Sequence, residues 1–261
     1  MAAPQPIRFE DGAAYEQTMG KWSQLVGARF LDWLAPPAGL AWLDVGCGNG
    51  AFTEMLIERC QPSSIAGIDP SDGQLAFART RPGAAGAQFQ KGDATALPYA
   101  DDRFDAAVMA LVIFFVPDPV KGVAEMRRVV KPGGLIAAYA WDITRGGAPF
   151  EPIWDEMRRL GIEPAQPPSK TRSRMEELTG LWRDAGLQAV ETREIVAERS
   201  FASFDHFWTV TTAHNVKAAI DAMTPEQQAA LKDNVRVRMP TDAVGRVTFS
   251  SKANAVRGRV A

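Results

Sequence analysis

The stretch LDVGCGNGA at positions 43–51 sets three glycines at alternate positions just after a carboxylate, Asp44. Glycine has no Cβ, so such a loop lets backbone approach a ligand closely. Two ligand chemistries suit it. One reads it as G-x-G-x-G. The other reads Gly46-x-Gly48-x-x-Ala51, which satisfies the dinucleotide fingerprint G-x-G-x-x-G/A. Asp69, in GIDPS, follows the loop by about 20 residues, the spacing at which a carboxylate meets ribose hydroxyls. It serves either ligand, and Asp69 or Ser71 could instead cap a helix. Asp93, in KGDATALP, can accept from an adenine amino group while the amide of Ala94 donates to a ring nitrogen.

Asp44 separates the two chemistries. Its neighbours Leu43 and Val45 are apolar, so the carboxylate is expected inside a strand. Burying it without a partner costs on the order of several kcal/mol. A pyrophosphate would add like charge, whereas a cationic ligand would offset the cost. S-adenosylmethionine carries an ammonium and a sulfonium and no phosphate. An aspartate bonded only to backbone amides is the structural alternative.

Strands and helices must alternate to bring these groups together. Apolar residues at helical spacing (Trp22, Leu25, Val26, Phe30, Trp33, Leu34) predict a helix over 15–35, stopped by Pro36-Pro37. Strands are predicted at 40–45, 65–68, 88–91, 104–111 and 135–141, with helices at 51–59, 71–81 and 119–130 between them. The apolar run 106–116 suits a central strand buried on both faces. This rhythm implies a parallel sheet with ligands at the carboxyl ends of its strands. After Trp141 the pattern changes. ITRGGAPFEP and GIEPAQPPSK read as loops around a helix at 150–160. A helix at 174–185 stops at Gly186. A strand near 189–196, a helical patch at 204–215, a helix starting at Thr224-Pro225 and a last strand at 246–254 follow.

Bulk properties fit a globular enzyme-sized chain of 261 residues, 46% hydrophobic and 23% charged, with net charge −2. No overall basic field favours nucleic acid, and the basic run KANAVRGRVA is expected to be a solvated strand end. The two cysteines, Cys47 and Cys60, have neither metal-site nor redox spacing, which suggests a reduced, cytoplasmic protein. The amino-terminus lacks a secretory pattern, and the longest apolar run is too short to span a bilayer.

The motifs, in order, are LDVGCGNG, GIDPSDGQLAFAR, KGDATALPYADDRFDAAVMAL and EMRRVVKPGGLIAAYAWD. With them the chain resembles the class I S-adenosylmethionine-dependent methyltransferases, in the small-molecule branch that includes ubiquinone and menaquinone biosynthesis enzymes. The resemblance covers about residues 40–142. It implies an α/β, Rossmann-like, doubly wound seven-stranded sheet, mostly parallel with an antiparallel last strand, plus a helical cap. It divides one domain into a cofactor-covering segment (1–38), a cofactor-binding core (39–142) and cap helices with the last two strands (143–261).

Carried onto this sequence, the resemblance puts backbone at Gly46 and Gly48 against the methionine moiety, with Cys47 and Gly50 completing the cofactor loop. Asp44 would contact the ammonium through water, Asp69 the ribose diol, Pro70 and Gln74 the adenine face, and Asp93 and Ala94 the adenine edge. A carbonyl of Ala110 or Leu111 would help hold the ammonium, and Tyr15 would close over the donor. Many relatives carry a histidine-containing segment after the fourth strand. Here it is LVIFFVPDP, so Phe114 and Phe115 would make that side apolar. Tyr139 and Trp141 are further acceptor-side candidates, and Asp142 also sits at that mouth. No metal is implied. If the acceptor must lose a proton, His214 is the base candidate, because it continues the stripe of Phe204, Phe207, Trp208 and Thr211 while His206 points away. The expected partner is a small, partly apolar acceptor, methylated on O, N or C. A nicotinamide-dependent oxidoreductase and a non-catalytic donor-binding protein are the alternatives. The first lacks a recognisable Tyr-x-x-x-Lys pair.

Overall fold

Five parallel strands are laid down within residues 41–141: β1 (Ala41–Val45), β2 (Ser64–Asp69), β3 (Gln88–Lys91), β4 (Phe104–Ala110) and β5 (Val130–Trp141). The structure, a computed structural model, describes residues 19–213 and 216–261. Tyr15 and His214 therefore lie outside the described residues. Two further strands, β6 (Gln188–Phe201) and β7 (Val247–Arg259), complete one sheet of order β3-β2-β1-β4-β5-β7-β6. Strand β7 runs antiparallel to both of its neighbours. The chain builds outward from β1 to β3, then crosses back to place β4 on the other side of β1. That reversal opens a crevice at the carboxyl ends of β1 and β4, where open α/β sheets bind ligands.

Burial explains why these segments are strands. Every residue of β1 is buried, Asp44 included, and Ala106–Met109 of β4 are shielded on both faces, as expected of central parallel strands. Helix α1 (Lys21–Leu34) buries Trp22, Val26, Phe30 and Leu34, one residue per turn. Its chain ends in a left-handed Ala35 whose N–H donates to the Leu31 carbonyl. The stripe packs on β5: Phe30 lies 4.6 Å from Tyr139 and Trp22 meets Trp141 edge-on at 6.4 Å between ring centres. Tyr139 and Trp141 are two apart on the strand and so share a face. Helices α2 (Ala51–Cys60) and α3 (Asp72–Ala78) follow β1 and β2. Helix α4 (Pro119–Val129) precedes β5, capped by Asp118.

The cap holds α5 (Glu151–Arg159), α6 (Met175–Asp184), α7 (Phe204–Thr212), α8 (Lys217–Asp221) and α9 (Pro225–Arg238). Thr224 and Gln227 form a capping box that starts α9. Buried Glu156 of α5 binds Asn234 and Arg238 of α9, which ties the two helices.

Three expectations change. The fifth strand, predicted at 135–141, begins before KPGG. The strand starts at Val130 and runs through it, with a register slip between Phe104 and Ala106 and left-handed Gly133 absorbing the surplus residues. Strand β6 is far longer than 189–196; it is an edge strand, so its polar residues face solvent and mask the pattern. The KANAVRGRVA run is no solvated end. It is paired on both sides within β7, with Ala253, Ala255 and Val256 fully buried. Arg257 stacks over Trp33 at 4.9 Å and pairs with Glu191 at 2.8 Å.

Candidate functional site

A cavity of about 590 Å³ opens at the carboxyl ends of the parallel strands. Asp44 from β1, Asp69 from the tip of β2 and Asp93 just past β3 all line it, together with Gly46, Cys47 and Gly48. The loop exists because three residues take conformations that favour glycine: Gly46, Gly48 and Gly50 have φ of +76°, +52° and +79°. The N–H groups of Gly46 and Cys47 both donate to the Ile68 carbonyl, which locks the loop to β2.

Each carboxylate has its own environment. Asp44 is fully buried. Its Oδ2 accepts a 2.6 Å hydrogen bond from the Thr53 hydroxyl, and its Oδ1 has no partner among the described residues. Burial pushes this carboxyl up to about 7; the Thr53 bond opposes the rise and the Asp69 charge adds to it. Asp69 accepts from the Gly48 N–H at 2.9 Å and from the Ser71 N–H at 2.8 Å. Burial raises its pKa against the pull of those two bonds. Ser71, not Asp69, caps α3, accepting from the Gln74 N–H. Asp93 accepts from both the N–H and the hydroxyl of Thr95, and these bonds hold its carboxyl below the usual range.

Cys47 lines the cavity as a thiol, because burial and then the charges of Asp44 and Asp69 push its pKa up. A thiol held protonated is a poor nucleophile. Pro70, Gln74, Ala94, Ala110 and Leu111 also line the cavity. Gln74 is buried, with Oε1 unpartnered among the described residues. Leu111 holds a left-handed φ of +63°, uncommon for a branched residue, and donates to the Tyr139 carbonyl.

Other sequence candidates fall elsewhere. Gly50 does not line the cavity. A Cβ there would stand 3.0 Å from Ala78 Cβ and 3.2 Å from the Phe89 ring, so this glycine serves close packing of the loop on α3 and β3. Phe114 and Trp141 are buried outside the cavity lining, Phe114 against Phe115 and Trp141 against Trp22. Phe115 and Tyr139 do line it. His206 is exposed, and its Nδ1 accepts from the Ala202 N–H. Among the described residues no cluster of three His, Cys, Asp or Glu could hold a metal, and no helix is long and apolar enough to cross a membrane.

Sequence reasoning missed one wall. Gln166, Pro167 and Pro168 face the cavity from a stretch that reads only as loop. Ser169 anchors them, its N–H donating to the Phe114 carbonyl and its hydroxyl to the Val116 carbonyl at 2.8 Å. Val112, packed over Gly46, and Ser23 of α1 were also missed. A proline-rich segment carries no periodicity that would place it.

A glycine loop after β1, carboxylates at three successive strand tips and this strand order are what the resemblance to class I, Rossmann-like S-adenosylmethionine-dependent methyltransferases implies. Residues 43–138 match the family described as "Methyltransferase domain". The chain is 33% identical over 132 residues to the malonyl-[acyl-carrier protein] O-methyltransferase of Methylococcus capsulatus, covering 50% of this chain and 46% of that one. It is 34% identical over 142 residues to the demethylmenaquinone methyltransferase of Renibacterium salmoninarum, covering 54% and 56%. The chain thus spans about half the length of the curated relatives it matches. In fold it is similar to the YcgJ protein of Bacillus subtilis (TM-score 0.58, 18% identity, 90% of this chain and 97% of that one). It is equally similar to phosphoethanolamine N-methyltransferase 2 of Haemonchus contortus with S-adenosylhomocysteine bound (TM-score 0.58, 16% identity, 95% and 56%). The cofactor of this class is S-adenosylmethionine.

The residues present fit that cofactor. The unpartnered Asp44 Oδ1 is a buried acceptor suited to a cation, and the Gly48 backbone leaves room where a side chain would stand. Asp44 also makes a stability prediction. Its folded pKa of about 7 lies above the ordinary 3.8, so the folded state binds the proton more tightly than the unfolded one. Stability of the ligand-free protein should fall as pH rises from about 4 to about 7. Asp44→Asn should flatten that slope and raise Tm at pH 8 by a few degrees, since about 1 kcal/mol moves Tm by about 2–4 °C in chains of this size. Thermal melts at pH 5 and pH 8 check it; an unchanged or lowered Tm at pH 8 would contradict it.

Proposed function

We propose that this protein transfers a methyl group from S-adenosylmethionine to a small, partly apolar acceptor at O, N or C. The observation that carries this is the convergence of Asp44, Asp69 and Asp93 on one cavity floored by the glycine loop, with one buried Asp44 oxygen left without a partner. Asp44 would receive the ammonium and Asp69 the ribose diol. Gln74 and Pro70 would lie along the adenine, with Asp93 and Ala94 at its edge. Asp69 keeps lone pairs for a diol, because among the described residues each of its oxygens accepts one backbone N–H.

The sulfonium supplies an already activated leaving group, so the protein's share is to hold an acceptor atom in line. Positioning of that kind can contribute about 7–11 kcal/mol. Phe115, Val116, Pro117, Pro167 and Pro168 also line the cavity. Their character supports an acceptor with apolar surface. A nicotinamide-dependent oxidoreductase fits less well: a dinucleotide would bring its pyrophosphate toward Asp44 and Asp69, adding like charge to two burdened carboxylates.

Equilibrium titration of the purified chain tests the cofactor. The expected result is micromolar affinity for S-adenosylhomocysteine and no measurable affinity for NAD. The reverse pattern would overturn the proposal.

A further inference from the structure

Thr53 stands in the first turn of α2, fully buried. A helical threonine usually returns its hydroxyl to the carbonyl three or four residues back. Here the hydroxyl leaves the helix and donates to Asp44 Oδ2 on β1 at 2.6 Å. Buried polar atoms in folded proteins nearly always find partners, yet Asp44 Oδ1 has none among the described residues. One oxygen is held and the other is free, in a side chain that lines the cavity. We propose that Thr53 is a positioning residue for the donor: by fixing one Asp44 oxygen it keeps the other turned to the cavity as acceptor for the donor's α-ammonium. This rests on the cavity being the S-adenosylmethionine site.

The same bond bears on the pH range of binding. The titratable groups facing Asp44 are Asp69 from β2 and Cys47 from the loop, and neither is cationic. Strand β4 brings apolar Val108 alongside in register. On α2, Glu54 is engaged with Arg81 at 2.8 Å. Burial and Asp69 both favour a protonated Asp44, and the Thr53 hydroxyl opposes them. A cationic ligand needs the ionised form, so removing the hydroxyl should push binding to higher pH.

Calorimetric titration of the full chain from pH 5.5 to 9 tests this, with S-adenosylhomocysteine and methylthioadenosine as probes. The second keeps the nucleoside but lacks the amino-acid portion. The wild type should lose S-adenosylhomocysteine affinity as pH falls through about 7. Thr53→Val should weaken that ligand at least five-fold at pH 7.5 and move its profile to higher pH, while methylthioadenosine changes less than two-fold. Thr53→Ser should restore both affinity and profile; if the valine variant does not fold, Thr53→Ala takes its place. Equal weakening of both probes, or an unmoved profile, would reduce Thr53 to a packing role and overturn the proposal. A wild type that binds neither probe would instead overturn the cofactor assignment beneath it.

Discussion

Asp69→Ala is expected to weaken S-adenosylhomocysteine binding by at least ten-fold, and by as much as a hundred-fold, in equilibrium titration. Ten-fold corresponds to about 1.4 kcal/mol, less than one charged hydrogen bond is able to contribute, at about 1.5–3 kcal/mol. Two effects add here. The carboxylate would lose its contact with the ribose diol. It would also release the Gly48 N–H and the Ser71 N–H, which it holds at 2.9 and 2.8 Å. Asparagine is no rescue, because its amide nitrogen would face one of those two donors. A deoxy analogue separates the two effects. If Asp69 takes the diol, 2′-deoxy-S-adenosylhomocysteine should bind the wild type weakly, yet the alanine variant should scarcely distinguish it from the parent ligand, the sign of direct coupling. Equal losses for both ligands would leave Asp69 as a brace of the loop and remove it from the ribose.

That brace illustrates what the sequence could and could not disclose. The spacing of Asp69 from the glycine loop signals proximity to a nucleoside, but the same spacing arises because a carboxylate at the tip of β2 lies beside a loop that follows β1. Both strands are in register, with Val45 opposite Ile68. The parallel core was legible because its central strands β1 and β4 are largely apolar and buried and helix α1 shows one buried stripe. The antiparallel side was less so. Strand β6 carries Glu191, Arg193, Glu194, Glu198 and Arg199 on an open edge, where charge does not disturb pairing. Within the loop the three glycines look alike in sequence yet differ in what surrounds them: Gly46 meets Val112, Gly48 an open cradle near Gln74, and Gly50 the packed side of α3. The wall made by Gln166–Pro168 depends on hydrogen bonds from Ser169 to residues more than fifty positions earlier. No local pattern encodes that contact.

Gly46→Ala should cost more than any other single methyl added to this loop, with donor affinity falling at least a hundred-fold. The added Cβ would stand 2.5 Å from both methyl carbons of Val112. Real Cβ atoms do not approach so closely, so either the valine or the loop must move. Overpacking of this kind costs about 1–3 kcal/mol. The left-handed φ of +76° adds about 1–2 kcal/mol for a residue with a Cβ. Moving the loop would also disturb the Gly46 and Cys47 donations to Ile68, which set the shape of the cradle. Gly39→Ala is the control. It shares a positive φ of +83° but meets nothing within 4 Å, so it should lower Tm modestly and leave donor affinity intact. Pairing Gly46→Ala with Val112→Ala removes the two 2.5 Å contacts, leaves a tight 3.1 Å Cβ–Cβ contact and keeps the backbone strain. The double variant should recover at least ten-fold of the lost affinity in the same titration. A Gly46→Ala protein that folds and binds S-adenosylhomocysteine within three-fold of the wild type would mean that the donor does not rest on this loop.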